Sequence, residues 1–345
     1  MWNSERNGGA RRRPSRGWGP AGRRCAYEET GRLQPPLLAA LVTLGLVAVC
    51  FAQRDQPSAQ IAPAATDGLQ VLLTTSELIV GQNRLAFGLL KDGRLLVDAR
   101  VSVRLYAIEG EDARLVAETP ARYHRLEVIE GGKRIHIHPD GARHVHGDAT
   151  DVQGIYVAQV TFPRSGTWGL EVLAQSGSGA VESARLSVGA LAASLAPMVG
   201  TPAPRSRNRI ASDVSDLRQI DSSDPPDPRL HRTRIADAIA QGKPQVIVFA
   251  TPRYCTSRVC GPVVDIVRTL MPTYGDRVAF IHEEIWETGD LQKFSSTVEE
   301  WNLRSEPWIF VVDGTGMVRA RFEGVTTRRE LEAALRPVLA PPVPR

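Results

Sequence analysis

The chain has 345 residues, with 42 Lys and Arg against 38 Asp and Glu, for a net charge of +4, and four cysteines. Residues 1–32 hold eight arginines against three acids, a local +5, so residues 33–345 carry −1. That subtraction leaves no case for nucleic acid as a partner, and no Gly-rich phosphate loop, paired-carboxylate pattern or Ser/His/Asp signature occurs in a credible context.

The first predicted element is a membrane segment. Residues 33–53 contain no charge and are rich in Leu, Val and Ala. The basic tail 1–32 stays in the cytoplasm by the positive-inside rule, which puts everything after about Arg54 outside. The tightly apolar part, 37–52, is short for a span, so a cleaved signal peptide competes with an anchor. Lipid attachment at Cys50 is a third reading, with Val49 where a small residue would be expected. As an anchor, the segment leaves Cys25 cytoplasmic and Cys50 in the membrane, apart from the two later cysteines.

After a spacer, 54–68, short apolar or alternating runs recur between Gly-containing turns at 69–74, 83–90, 99–108, 154–162 and 169–174. Strands without helical periodicity predict an all-β, immunoglobulin-like sandwich over 69–188. Lys91-Asp92-Gly93-Arg94 predicts a tight turn. The run from Gly154 through Tyr156 to Val160, with Ser165 through Trp168 to Val172, resembles small extracytoplasmic sandwich domains that sit beside respiratory or copper proteins. Tyr156 and Trp168 are equally ordinary core residues.

Five of the seven histidines fall between 124 and 146: His124, His136, His138, His144 and His146. In strands His136 and His138 share a face, as do His144 and His146. A turn at Pro139-Asp140-Gly141 would bring the pairs together across a hairpin, offering imidazoles to copper or zinc. A solvated hairpin with incidental histidines, or a pH sensor, accounts for the same pattern.

Residues 189–229 are rich in proline and charge and lack periodicity, which predicts an extended, loosely packed linker. Its forty-odd residues exceed a simple tether and leave room to drape over one domain. Beyond it the expected order is a helix at 230–241, a strand at 246–250, a helix at 263–274, a strand at 277–286, a helix at 296–301, strands at 308–312 and 317–323, and a helix at 326–339. That order predicts an α/β domain over 230–342, followed by a short Pro-rich tail.

Where the first of these strands turns into a helix stand Cys255-Thr256-Ser257-Arg258-Val259-Cys260, then Gly261-Pro262. A helix N-terminus carries partial positive charge and free N–H groups, which stabilise a thiolate; Arg253 and Arg258 push the same way. Together with Glu306-Pro307-Trp308 leading the third strand, this turn resembles the thioredoxin superfamily. The resemblance implies a cis bond before Pro307, with Pro307 packed beside the sulfurs. It also implies thiol-disulfide exchange with protein thiols or disulfides in the cell envelope, without a cofactor. Tyr254 and Trp308 would then shape an apolar docking surface.

The family has two residues between its cysteines, and this chain has four. Either Cys255 is the exposed nucleophile and Cys260 resolves it, or Cys260-Gly261-Pro262-Val263 aligns with the family motif and the roles exchange. A structural disulfide or a redox-inactive binding turn remains open. Copper chaperones with a related fold place two cysteines and a histidine around the metal, and His282 is the imidazole considered for that role. A non-catalytic envelope interaction module is the third reading.

Overall fold

The structure, a computed structural model, describes residues 68–340 apart from 111, 128, 131–132, 138–142, 149–151 and 256. The basic tail, the apolar segment 33–53, Cys25, Cys50 and His138 lie outside the described residues. Among those described, no helix is long and apolar enough to cross a membrane. Residues 57–345 cluster as one unit, distinct from 1–56.

The first part is built from strands. In chain order they are β1 (Leu69–Leu73), β2 (Leu78–Ile79), β3 (Gly81–Lys91), β4 (Arg94–Leu95), β5 (Arg100–Glu109), β6 (Asp112–Arg125), β7 (Ile129–Glu130), β8 (Lys133–Ile137), β9 (Arg143–Asp148), β10 (Gly154–Phe162), β11 (Gly166–Gln175) and β12 (Val181–Leu191). Nine of them form one sheet, in the order β1-β3-β10-β6-β5-β11-β12-β2 with β4 on β3, while β7, β8 and β9 form a separate small sheet. Alternation selects the inward face. Val101, Val103, Leu105 and Ala107 of β5 meet Trp168, Leu170, Val172 and Ala174 of β11. Leu85, Phe87 and Leu89 of β3 and Tyr156, Ala158 and Val160 of β10 enter the same core, so the sheet wraps round its own apolar face.

Strand β6 carries no apolar alternation, whereas β12 turns Ala184, Leu186, Val188 and Ala190 inward. Residues 112–118 of β6 are exposed throughout and exist as a strand by pairing with β5, where the hairpin runs past the core. The outer face of β12 is likewise polar or small, and β11 alone supplies its long ladder.

The second part comprises α1 (Ile235–Ala240), β13 (Gln245–Ala250), α2 (Cys260–Tyr274), β14 (Ala279–Glu284), β15 (Trp286–Glu287), β16 (Asp290–Phe294), α3 (Ser296–Glu300), β17 (Trp308–Val312), β18 (Val318–Glu323) and α4 (Arg328–Leu339). Its main sheet has the order β14-β13-β17-β18, with β13 and β14 parallel and the other pairs antiparallel. Every residue of β13 is buried because both faces are covered. Val246, Val248 and Ala250 join Ile309 and Val311 against α2 and α4. Ile247 and Phe249 join Phe310 and Val312 on the other face, with Ile235, Ile239 and Trp301. The start of α4 is fixed by a reciprocal cap between Thr327 and Glu330. The helix expected at 230–241 is shorter. Pro228–His231 form a 3-10 turn before α1, and the His231 side chain is drawn to Asp221.

Residues 189–229 are not a loose linker. Ala196 and Ala203 enter the core beside Trp301, and Ser206, Asn208, Asp221, Ser223 and Asp227 are buried. Polar side chains make this possible by satisfying the segment's backbone: Asn208 accepts from the Ile235 N–H, and Asp221 from the N–H groups of Ser223 and Asp227.

The two parts share buried contacts. Ala86, Leu126 and Ile155 pack into the core of α2 and α4. Arg84 makes a two-pronged ion pair with Glu330, Nε to Oε1 at 2.7 Å and Nη2 to Oε2 at 3.1 Å, and also donates to the Val325 carbonyl at 2.7 Å. Arg321 pairs with Glu77 at 2.9 Å. Gly324 has a positive φ of 74°, and a Cβ there would collide with the Thr74 carbonyl oxygen. Removing Arg84 strands a mostly buried Glu330 carboxylate. Arg84→Met is therefore expected to lower unfolding stability by about 2–3 kcal/mol in urea titration; a loss below about 0.5 kcal/mol would contradict this role.

Candidate functional site

The turn after β13 is set by two N–H groups, those of Tyr254 and Cys255, which donate to the Thr251 carbonyl at 3.2 and 3.0 Å. Arg258 then adopts a positive φ of 58° and donates its N–H to the Cys255 carbonyl at 3.2 Å, closing the turn onto α2. Helix α2 has no side-chain cap at Val259. The N–H groups of Val259 and Cys260 point instead toward the Cys255 sulfur and help lower its pKa.

Both cysteines are free thiols. Cys255, expected to be exposed, is buried at 7 % exposure, and Cys260 is fully enclosed. The Cys260 thiol donating to its sulfur is the main reason the Cys255 pKa drops to about 5. The Ser257 hydroxyl, 3.1 Å away, and the α2 N–H groups add to this, while burial opposes it. Cys260 moves the other way, pushed far up by burial and by holding its proton for Cys255. One sulfur is thus prepared as a thiolate and the other kept as a thiol.

The Glu306–Pro307 bond is cis. A Glu306 carboxylate oxygen and the two sulfurs all lie within 4.8 Å of one another. Sequence reasoning passed over Glu306 because it considered only the proline beside it. Tyr254 is 44 % exposed at the rim of the turn. Trp308, expected on a docking surface, is only 2 % exposed. Its Nε1 donates to Ser305 at 2.9 Å, and its ring stacks between Phe310 and the Arg321 guanidinium, so it is a core residue.

His282, expected beside the cysteines in the copper reading, belongs to a different cluster. It pairs in register with Val248, and its Nε2 donates to the Ala250 carbonyl at 3.0 Å. Its Nδ1 stands 3.4 Å from Asp221 Oδ1, and His231 Nε2 donates to Asp221 Oδ2 at 3.1 Å. His231, passed over in favour of His282, and Asp221, placed in the linker, complete a fully buried group. Burial opposes the charge, yet the two imidazoles hold the Asp221 carboxyl well below the usual range. Burial pushes His231 down, whereas Asp221 raises His282 against the cost of burial.

Neither cluster fits the expected metal. The cysteines have a hard carboxylate for their third donor rather than an imidazole, a poor set for Cu(I). Asp221 already accepts from two backbone N–H groups and from His231, with His282 Nδ1 3.4 Å away as a charge contact, so both of its oxygens are engaged. As for the histidine hairpin, β8 and β9 pair with His136 opposite His144, and the backbone of β8 runs beside α2.

The Asp221 group fastens the cysteine turn. Neighbouring Ser222 accepts the Arg253 N–H at 3.2 Å and donates its own N–H to Glu284 at 2.9 Å. Ser222, Pro252, Arg253 and Gly261 line an open cleft of about 210 Å³ beside the start of α2. Asp221→Asn is expected to cost about 3 kcal/mol in denaturant unfolding and to lower the His282 pKa followed by NMR; an unchanged His282 titration would refute the pairing. Alkylation of Cys255 should fall off only below about pH 5, with Cys260 untouched. Because the folded pKa lies below the unfolded one of about 8.5, the reduced protein should gain stability as pH rises between those values, and Cys255→Ser should remove that slope. No family model matches the chain, and neither a curated protein nor a solved structure does.

Proposed function

We propose that the chain is a cell-envelope thiol-disulfide oxidoreductase, with a thioredoxin-like domain over 230–342 and an immunoglobulin-like β-sandwich over 69–188. In this reading residues 33–53 anchor it in a membrane, with 1–32 cytoplasmic and the two domains outside. Support for the fold comes from the alternation of helices and strands around one mixed sheet, and from the cis bond between Pro307 and Glu306, whose carboxylate lies within 4.8 Å of both sulfurs.

One observation carries the chemistry: the Cys255 and Cys260 sulfurs lie within 4.8 Å of each other at the start of α2, an arrangement in which the Cys260 thiol lowers the Cys255 pKa to about 5. This favours Cys255 as nucleophile over the reverse assignment, since Cys260 is enclosed and holds its proton. The Cys255 thiolate attacks one sulfur of a partner disulfide, and the other partner sulfur leaves as a thiolate and takes a proton. Cys260, once deprotonated, attacks Cys255 Sγ. The mixed disulfide breaks, the second partner sulfur leaves, and a Cys255–Cys260 disulfide remains. Two electrons have passed from the protein to its partner; in the opposite direction the same steps oxidise a dithiol. Exposed Tyr254 lies where a partner chain would approach.

The reading is tested by equilibrating the chain with glutathione buffers and counting thiols by alkylation and mass spectrometry. A single reversible Cys255–Cys260 disulfide is expected, with activity toward a protein disulfide abolished in Cys255→Ser. A disulfide that glutathione does not reduce would make the pair structural. Stoichiometric Cu(I) capture that protects both thiols would move the protein to metal handling.

A further inference from the structure

The exchange proposed above requires Cys260 to lose a proton to a group beside it rather than to bulk solvent. Its side chain is fully enclosed, and only the thiolate is a nucleophile. From the placement of its carboxylate within 4.8 Å of both sulfurs, we infer that Glu306 is the proton acceptor for Cys260 in the resolving step. This role rests on the oxidoreductase reading and adds to it a base that the cysteine spacing alone does not supply. The separation lies within the span of one bridging water.

The position of Glu306 is held from both sides. Ser305 donates to Glu323 Oε1 at 2.6 Å and accepts from Trp308 Nε1 at 2.9 Å. The Pro307 carbonyl accepts from the Gly324 N–H at 2.8 Å. Glu323 is itself held by the Ser76 hydroxyl and by the Glu77 N–H at 2.9 Å. These contacts fix the residues on either side of Glu306 and with them the place of its backbone.

Burial, then the Cys255 thiolate, then Glu284 raise the Glu306 pKa, which makes the carboxylate a stronger base than a solvent-exposed one. Forming the mixed disulfide removes the Cys255 charge from beside it. The same event takes away part of what raises Cys260. The Cys260 proton then passes to Glu306, the new thiolate attacks Cys255 Sγ, and the partner sulfur leaves with the electron pair of the broken bond. Glu306 afterwards releases its proton to solvent.

The test uses the full chain with Cys25→Ser and Cys50→Ser, reduced and mixed with a chromogenic aryl disulfide. Attack by Cys255 releases the first equivalent of coloured thiol and resolution by Cys260 the second. In Glu306→Gln the first release should keep its rate within about twofold, while the second slows about 100-fold at neutral pH and climbs with hydroxide instead of reaching a plateau. Glu306→Asp should recover part of the rate and keep the plateau, which separates proton transfer from a packing defect. A second release in Glu306→Gln with the rate and pH profile of the parent overturns the assignment and leaves the oxidoreductase reading intact. A parent protein that releases fewer than two equivalents overturns both.

Discussion

Helix α2 starts on N–H groups that no side chain caps, and these turn to a sulfur atom. This exchange of a missing cap for a thiolate is what the cysteine turn is built around. The N–H groups of Val259 and Cys260 gain an acceptor, and the sulfur gains the partial positive charge of a helix start. The Thr251 carbonyl and the left-handed Arg258 shape the four-residue interval so that Cys255 comes back over the helix end. A longer spacing between the cysteines therefore still brings the two sulfurs together.

The turn needs a firm base, and a buried carboxylate provides it. Asp221 sits where an isolated charge would be prohibitively costly, and three hydrogen bonds and one charge contact converge on it. Two of the bonds come from the backbone that follows it and one from His231, while His282 supplies the charge contact from another element. Such a cluster is weak evidence for net stability, because desolvation offsets much of the attraction. Its clearer effect is geometric. It fixes residues 221–227 against the ends of β13 and β14, and through Ser222 against Arg253 in the cysteine turn.

The strand-rich part contributes to the same region from the opposite side. Ser76 and Glu77 reach Glu323, which holds Ser305 directly before Glu306 and Pro307. Arg84 clamps Glu330 and the Val325 carbonyl at the start of α4. With Gly324 pressed against the Thr74 backbone, these contacts leave little freedom between the strand-rich part and the loop that carries Glu306. Rearranging that contact would move Glu306 relative to the sulfurs.

The sequence by itself determined the elements whose burial is periodic or complete. The apolar run at 246–250, the amphipathic helices after Cys260 and Thr327, and the alternating strands β5, β10 and β11 were all legible, because each local pattern states which face is covered. The placement of two cysteines at a helix start and the proline leading β17 were equally readable, being local chemistry. Tertiary structure alone decided what meets what. The first half of strand β6 exists through pairing rather than burial, so no alternation announced it. Strand register carried His282 to Asp221 and His231, groups 61 and 51 residues earlier in the chain, and turned Trp308 inward. It also set Glu306 beside sulfurs some fifty residues away in sequence. Such contacts depend on ladder pairing and loop closure between distant segments, and nothing in the local order of residues encodes them.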